Sequence, residues 1–165
     1  MYTLTTSIEI AAPPATVRNK FLDFSSIPTY TPNGFVHSIA PTDPAIAPAN
    51  LKPGDKLNCA MGYGKMKFSP VVVENTGAEF SWKGSVPGVF TGVHAFRFEE
   101  IPSPAGSTVE AGARTKLVHE EVFTGLLSGL MGDGWLGGLL GMHEQSKKGF
   151  EGFNADFKKW VESSN

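Results

Sequence analysis

The stretch Phe90-Thr91-Gly92-Val93-His94-Ala95-Phe96-Arg97-Phe98 decides the fold. Phe90, Phe96 and Phe98 alternate with Thr91, Ala95 and Arg97, the period of a half-buried strand. On that register Gly92 and His94 share the apolar face, so an imidazole and a gap stand where more hydrophobic side chains belong. The next strand-like run places Thr115, Leu117, His119, Glu121 and Phe123 on one side and Arg114, Lys116 and Glu120 on the other. A hairpin closed around Pro102 to Gly106 sets paired residue numbers to sum near 213, which puts His94 across from His119 and Gly92 across from Glu121. A slip of two residues would change partners without changing faces.

Outward from this hairpin the pattern is α+β. Tyr2, Leu4, Thr6, Ile8 and Ile10 alternate in an opening strand. Ala12-Pro13-Pro14 ends it and starts a short helix through Val17, Phe21, Leu22 and Phe24. Ser25-Ser26-Ile27-Pro28 starts a second short helical turn. Strand-like runs follow at roughly 35–40, 55–63, 65–75, 78–85, 90–100 and 112–124, with gaps short enough for antiparallel hairpins. The tail carries Leu136, Leu139, Leu140, His143, Phe150, Phe153, Phe157, Trp160 and Val161 at helical spacing, one broad apolar stripe. A sheet with one apolar face needs a cover, and this last helix is long enough to supply it. No linker or repeat divides the chain, so residues 1–165 read as one domain.

Composition narrows the function. A net charge of −2 with no cluster of Lys and Arg gives no nucleic-acid footprint and no general attraction to an anionic membrane. The single cysteine, Cys59, cannot form an internal disulfide, and the opening residues alternate rather than forming an apolar leader. The expected compartment is the cytoplasm. Nucleophile-elbow, phosphate-loop and dinucleotide signatures do not occur in the sequence, so no cofactor is expected, and Cys59 reads as a core filler.

Three of the four histidines, His94, His119 and His143, fall on apolar faces. A lone inward histidine is most often a hydrogen-bonded core residue. An inward Glu121 is harder to dismiss, because an unpaired buried carboxylate is costly. It has three partners to choose from: His119, Arg97, or solvent at a cavity mouth. Converging polar groups on an apolar face suggest a pocket with a few directional contacts. Its wall would comprise Tyr63, Phe68, Trp82, Phe90, Phe96, Phe98, Leu117, Phe123, Trp135, Leu139, His143 and Phe150. His94, His119 and Glu121 are the candidate acid–base groups, since imidazole titrates near neutrality. A zinc site from the three histidines and Glu121 has suitable ligands, but the spacing gives no local support and no metal is expected.

The chain resembles the SRPBCC superfamily, the START-like and polyketide cyclase/dehydrase proteins, in the style of its small microbial or fungal members. The likeness is carried by I-E-I-A-A-P-P-A-T-V at 8–17, D-F-S-S-I-P-T-Y at 23–30, F-S-W-K-G at 80–84, the 90–98 stretch, T-K-L-V-H-E-E-V-F-T-G at 115–125 and F-E-G-F-N-A-D-F-K-K-W-V-E at 150–162. It implies a helix-grip fold: a seven-stranded antiparallel sheet curled around a long C-terminal helix, two short helices after strand 1, and an internal apolar cavity. It also implies a hydrophobic ligand of lipid, polyketide or terpenoid type, bound with a capacity for cyclase or dehydratase chemistry. The alternative is a dedicated cyclase/dehydratase or isomerase using His94, His119 and Glu121.

The segment 125–142 holds seven glycines and a single charge, Asp133. Each glycine costs about 1 kcal/mol in a helix, so the segment is expected to be neither a stable isolated helix nor a membrane span. Two readings stay open: close packing of the helix against the sheet, or a hydrophobic lid formed by Leu126, Leu127, Leu130, Met131 and Trp135. The helix proper is expected near Gly134. The expected partners are a hydrophobic small molecule and at most a transient membrane contact, in a monomer or homodimer.

Overall fold

The computed structural model describes residues 1–86, 90–102, 113–124 and 142–163, apart from the side chains of Val86, Phe90, Met142 and His143. Strand β1 (Tyr2–Ile10) leads into helix α1 (Pro14–Phe21), a 3-10 turn (Phe24–Ser26) and helix α2 (Ile27–Tyr30). Then come β2 (Val36–Pro41), β3 (Leu57–Met61), β4 (Met66–Phe68), β5 (Val71–Asn75), β6 (Glu79–Val86), β7 (Phe90–Ile101) and β8 (Arg114–Thr124). Helix α3 (Met142–Ser163) closes the chain. The candidate lid and the cap expected within 125–141, with Trp135 and Leu139, lie outside the described residues, as do the side chains of Phe90 and His143.

Among the described residues there are eight strands in two antiparallel sheets, ordered β1-β8-β7-β6-β5 and β2-β3-β4, not seven in one. The difference lies in the run expected over 65–75. It breaks at Ser69-Pro70, since proline has no N–H to donate to a ladder. Chain and sheet turn the corner together there: the Leu57 N–H donates to the Pro70 carbonyl (2.9 Å) and Val72 N–H to the Asp55 carbonyl (2.8 Å). The result is a curled antiparallel surface with a helix packed against it, the arrangement that the family resemblance implied.

The β7–β8 register also corrects the expectation. Partners sum to 215: His94 faces Glu121, Phe96 faces His119 and Gly92 faces Phe123. The two-residue slip keeps every side chain on its expected face.

Helix α3 presents Phe150, Phe153, Asn154, Phe157 and Val161 to the concave side, all buried. Phe21 of α1 fills the same space, 4.3 Å from Phe96 and 5.7 Å from Phe98 between ring centroids. This half of the interior, with Phe80 and Leu117, is packed closed. Gly149 lets α3 approach the sheet closely, because a Cβ there would enter the contact shell of the Phe35 ring.

Candidate functional site

Among these apolar rings runs a line of polar side chains. Glu121 Oε2 lies 3.4 Å from His94 Nδ1, and His94 Nε2 lies 2.7 Å from His119 Nε2. His119 Nδ1 lies 3.0 Å from Asn154 Oδ1, and Asn154 Nδ2 donates to Thr6 Oγ1 at 3.0 Å. The hydroxyl of Thr6 in turn reaches the His119 carbonyl oxygen at 3.5 Å. Strands β1, β7, β8 and helix α3 each contribute. His94, His119, Asn154 and Thr6 are buried, while Glu121 is 22% exposed.

The direction of each hydrogen bond follows from its neighbour. The Asn154 amide nitrogen donates to Thr6, so its oxygen is the acceptor facing His119 and His119 carries its proton on Nδ1. That leaves His119 Nε2 as an acceptor, and His94 donates to it from Nε2. Both nitrogens of His119 are thereby engaged. The one ring nitrogen left for exchange is His94 Nδ1, which faces Glu121. Burial first, and the neighbouring His94 second, hold the His119 pKa well below its ordinary 6.5, against the opposing pull of the Asn154 hydrogen bond.

Aromatic rings clamp both imidazoles. Trp82 stacks on His94 at 4.6 Å and 9°, and Phe150 on His119 at 3.8 Å and 5°. Phe96 lies against both, at 5.1 Å and 4.3 Å. A Cβ on Gly92 would sit 2.9 Å from Glu121 Oε1, so the gap read in the sequence is filled by this carboxylate leaning across β7.

Met66 and Phe68 of β4 pair with Met61 and Cys59 of β3, both buried, and so lie on the inner face. They are nevertheless 51% and 37% exposed. The Phe68 ring reaches to 3.5 Å from where a Gly84 Cβ would stand on β6. Tyr63, expected in the pocket wall, is at the tip of the β3–β4 hairpin, 45% exposed and edge-on to Phe35 at 5.7 Å.

The candidates read from sequence therefore fall into two groups. Trp82, His94, Phe96, Phe98, Leu117, His119, Phe123 and Phe150 are in the buried layer, with Glu121 at its edge, and Tyr63 and Phe68 are exposed. Arg97 is not Glu121's partner. It bridges Glu79 at 3.0 Å and Glu120 at 2.9 Å on the outer face. Sequence reading missed Asn154 and Thr6, and the signal for both was a polar residue on an apolar face. The buried Cys59 thiol is pushed up to about 12 by desolvation, which keeps it protonated. No group of three or more potential metal ligands occurs among the described residues.

A model of the family described as "Polyketide cyclase / dehydrase and lipid transport" matches residues 1–156. The chain belongs to this family. Its fold recurs in TTHA0849 from Thermus thermophilus, at 12% identity and a TM-score of 0.64 over 99% of each chain. It recurs in Ara h 8.0201 at 13% identity and a TM-score of 0.59 over 98% of each. The di-domain ARO/CYC StfQ from the steffimycin biosynthetic pathway is similar at 11% identity and a TM-score of 0.58, over 98% of this chain and 51% of that one. None of the curated proteins matches the sequence. Such identities carry the fold and not the chemistry. Among the described residues no helix is long and apolar enough to cross a membrane.

Proposed function

We propose that this family member holds a hydrophobic small molecule of lipid, polyketide or terpenoid type between its curled sheet and α3, and that Glu121 and His94 exchange a proton with it. The observation that carries the reading is the polar line that starts at partly exposed Glu121 and ends at Thr6, inside an interior built mainly of aromatic and aliphatic side chains. A packed core has no need of five linked polar groups, and their connection makes the burial tolerable. The family's description, cyclase/dehydrase and lipid transport, supports the ligand class.

In this reading Glu121 takes the proton from a carbon α to a ligand carbonyl, and the electron pair of the broken C–H bond moves into the enolate. His94 Nδ1 receives the proton or returns it to a departing hydroxyl, which leaves as water. His119, with no free nitrogen, acts through His94 by accepting its Nε2–H, and Asn154 and Thr6 orient His119. Trp82 and Phe150 hold both rings in place. The His94 and Glu121 roles are those of a cyclase, dehydratase or isomerase without a redox cofactor.

Two measurements test this. Native mass spectrometry of the purified protein, followed by organic extraction, is expected to recover an apolar adduct. Proton-to-deuterium exchange at the α-carbon of polyketide-like ketones, followed by NMR, is expected to be accelerated by the wild type and not by Glu121→Gln. Failure to recover any adduct or to bind an apolar fluorescent probe would sink the ligand reading. Equal exchange rates for wild type and Glu121→Gln would sink the acid–base reading.

A further inference from the structure

The β3–β4 hairpin carries a feature that the ligand reading does not use. Its connection, Gly62-Tyr63-Gly64, has three successive positive φ angles, 57°, 60° and 81°, which turn the chain tightly and thrust Tyr63 outward. Tyr63, Met66 and Phe68 are all exposed, a rare density of large apolar side chains for seven residues of soluble surface. Lys65 and Lys67 interleave with them and are also exposed. The ion pairs among the described residues run through Arg97, Arg114, Lys116 and Lys158 and leave both of these lysines uncommitted. The chain as a whole carries −2, yet residues 62–68 carry two positive charges and no negative one.

We propose that this hairpin docks the protein, tip first, on an anionic lipid bilayer. Tyrosine suits the boundary between headgroups and hydrocarbon, and Met66 adds apolar contact behind it. Lys65 and Lys67 lie at the level of the headgroups, where each is attracted by a negative surface. Lysine stems also follow apolar surface while their charges stay in water. The choice of a bilayer rather than a protein rests on this charge complementarity in an otherwise acidic chain. Tyr63 contacts Phe35, which lies 5.6 Å from Phe150, the ring stacked on His119. The docking tip and the buried imidazoles are thus joined through two intervening rings.

The test is flotation of the full-length protein with vesicles of phosphatidylcholine alone and of phosphatidylcholine with phosphatidylserine. Wild type is expected to float with the anionic vesicles, and high salt is expected to release it. Lys65→Glu/Lys67→Glu is expected to lower the partition coefficient roughly thirtyfold or more. Met66→Ser should lower it without altering its salt dependence. The charge-matched control Lys52→Glu/Lys159→Glu, which leaves the hairpin intact, should bind nearly as wild type does. Apolar-probe binding, measured in parallel without vesicles, keeps a failure of docking distinct from a failure of the ligand reading. The proposal is overturned by wild type that ignores anionic vesicles, or by equal losses in the hairpin and control variants. It is also overturned by a dimer in solution that the Met66→Ser change dissolves while vesicle binding persists.

Discussion

Acid should weaken this fold through His119. In the native state burial and His94 hold its pKa well below 6.5, while in the unfolded chain the ring titrates near that ordinary value. Below about pH 6.5 the unfolded state therefore binds a proton that the native state does not. The free energy of unfolding rises with pH in that range, and stability is lost as pH falls. One such group gives a slope of about 1.4 kcal/mol per pH unit, so about 2 kcal/mol disappears between about pH 7 and about pH 5 while the native ring stays neutral. The perturbation that isolates the effect is His119→Phe, which preserves an aromatic ring between Phe96 and Phe150. The variant should be less stable at neutral pH by roughly 2–4 kcal/mol, because His94 Nε2–H and the Asn154 oxygen lose their partner. The diagnostic is accordingly the slope and not the level. Urea denaturation of both proteins at three pH values between 5 and 7 measures it. His119→Phe should show a shallower loss, by about one proton's worth. Parallel pH profiles for the two proteins would refute the buried neutral imidazole.

Three further outcomes are expected. Asn154→Leu removes the hydrogen bonds to His119 and Thr6, both 3.0 Å, and should cost about 2–3 kcal/mol in urea denaturation. Nitrogen-15 NMR should then find His119 shifted away from the Nδ1–H tautomer, and an Nε2–H signal already present in wild type would contradict the assignment. Gly149→Ala, which in an open helix would gain about 1 kcal/mol, should instead destabilise by about 1–3 kcal/mol, because the added methyl meets the rigid Phe35 ring. A raised thermal midpoint would argue against that packing. Gly92→Ala places a methyl 2.9 Å from the mobile end of Glu121, so stability should change by less than about 1 kcal/mol while α-carbon exchange falls. Unchanged exchange would show that the position of Glu121 does not matter.

Much of the interior was legible before any coordinates. The inward placement of His94, Phe96, Leu117, His119 and Glu121 followed from a period of two, which is built into the extended chain and survives a slip of the register. The break at Ser69-Pro70 was missed, because the run over 65–75 hides among apolar neighbours a proline that cannot donate to a ladder. The β7–β8 pairing was not legible to better than two residues, because the connection between Ile101 and Arg114 leaves that much slack. Asn154 and Thr6 could not be linked by any local rule, since 148 residues separate them.

The order of strands and helices, and the face each side chain takes, belong to the sequence alone, because covalent geometry repeats every two residues in a strand and every three to four in a helix. The partners of the inward polar groups belong to the tertiary structure alone. His94 meets Glu121 and His119, and His119 meets Asn154, because Phe21, Phe150, Phe153 and Phe157 pack the sheet and α3 into one relative position. That position minimises voids among large rings, a property of the whole interior that no short stretch of chain contains.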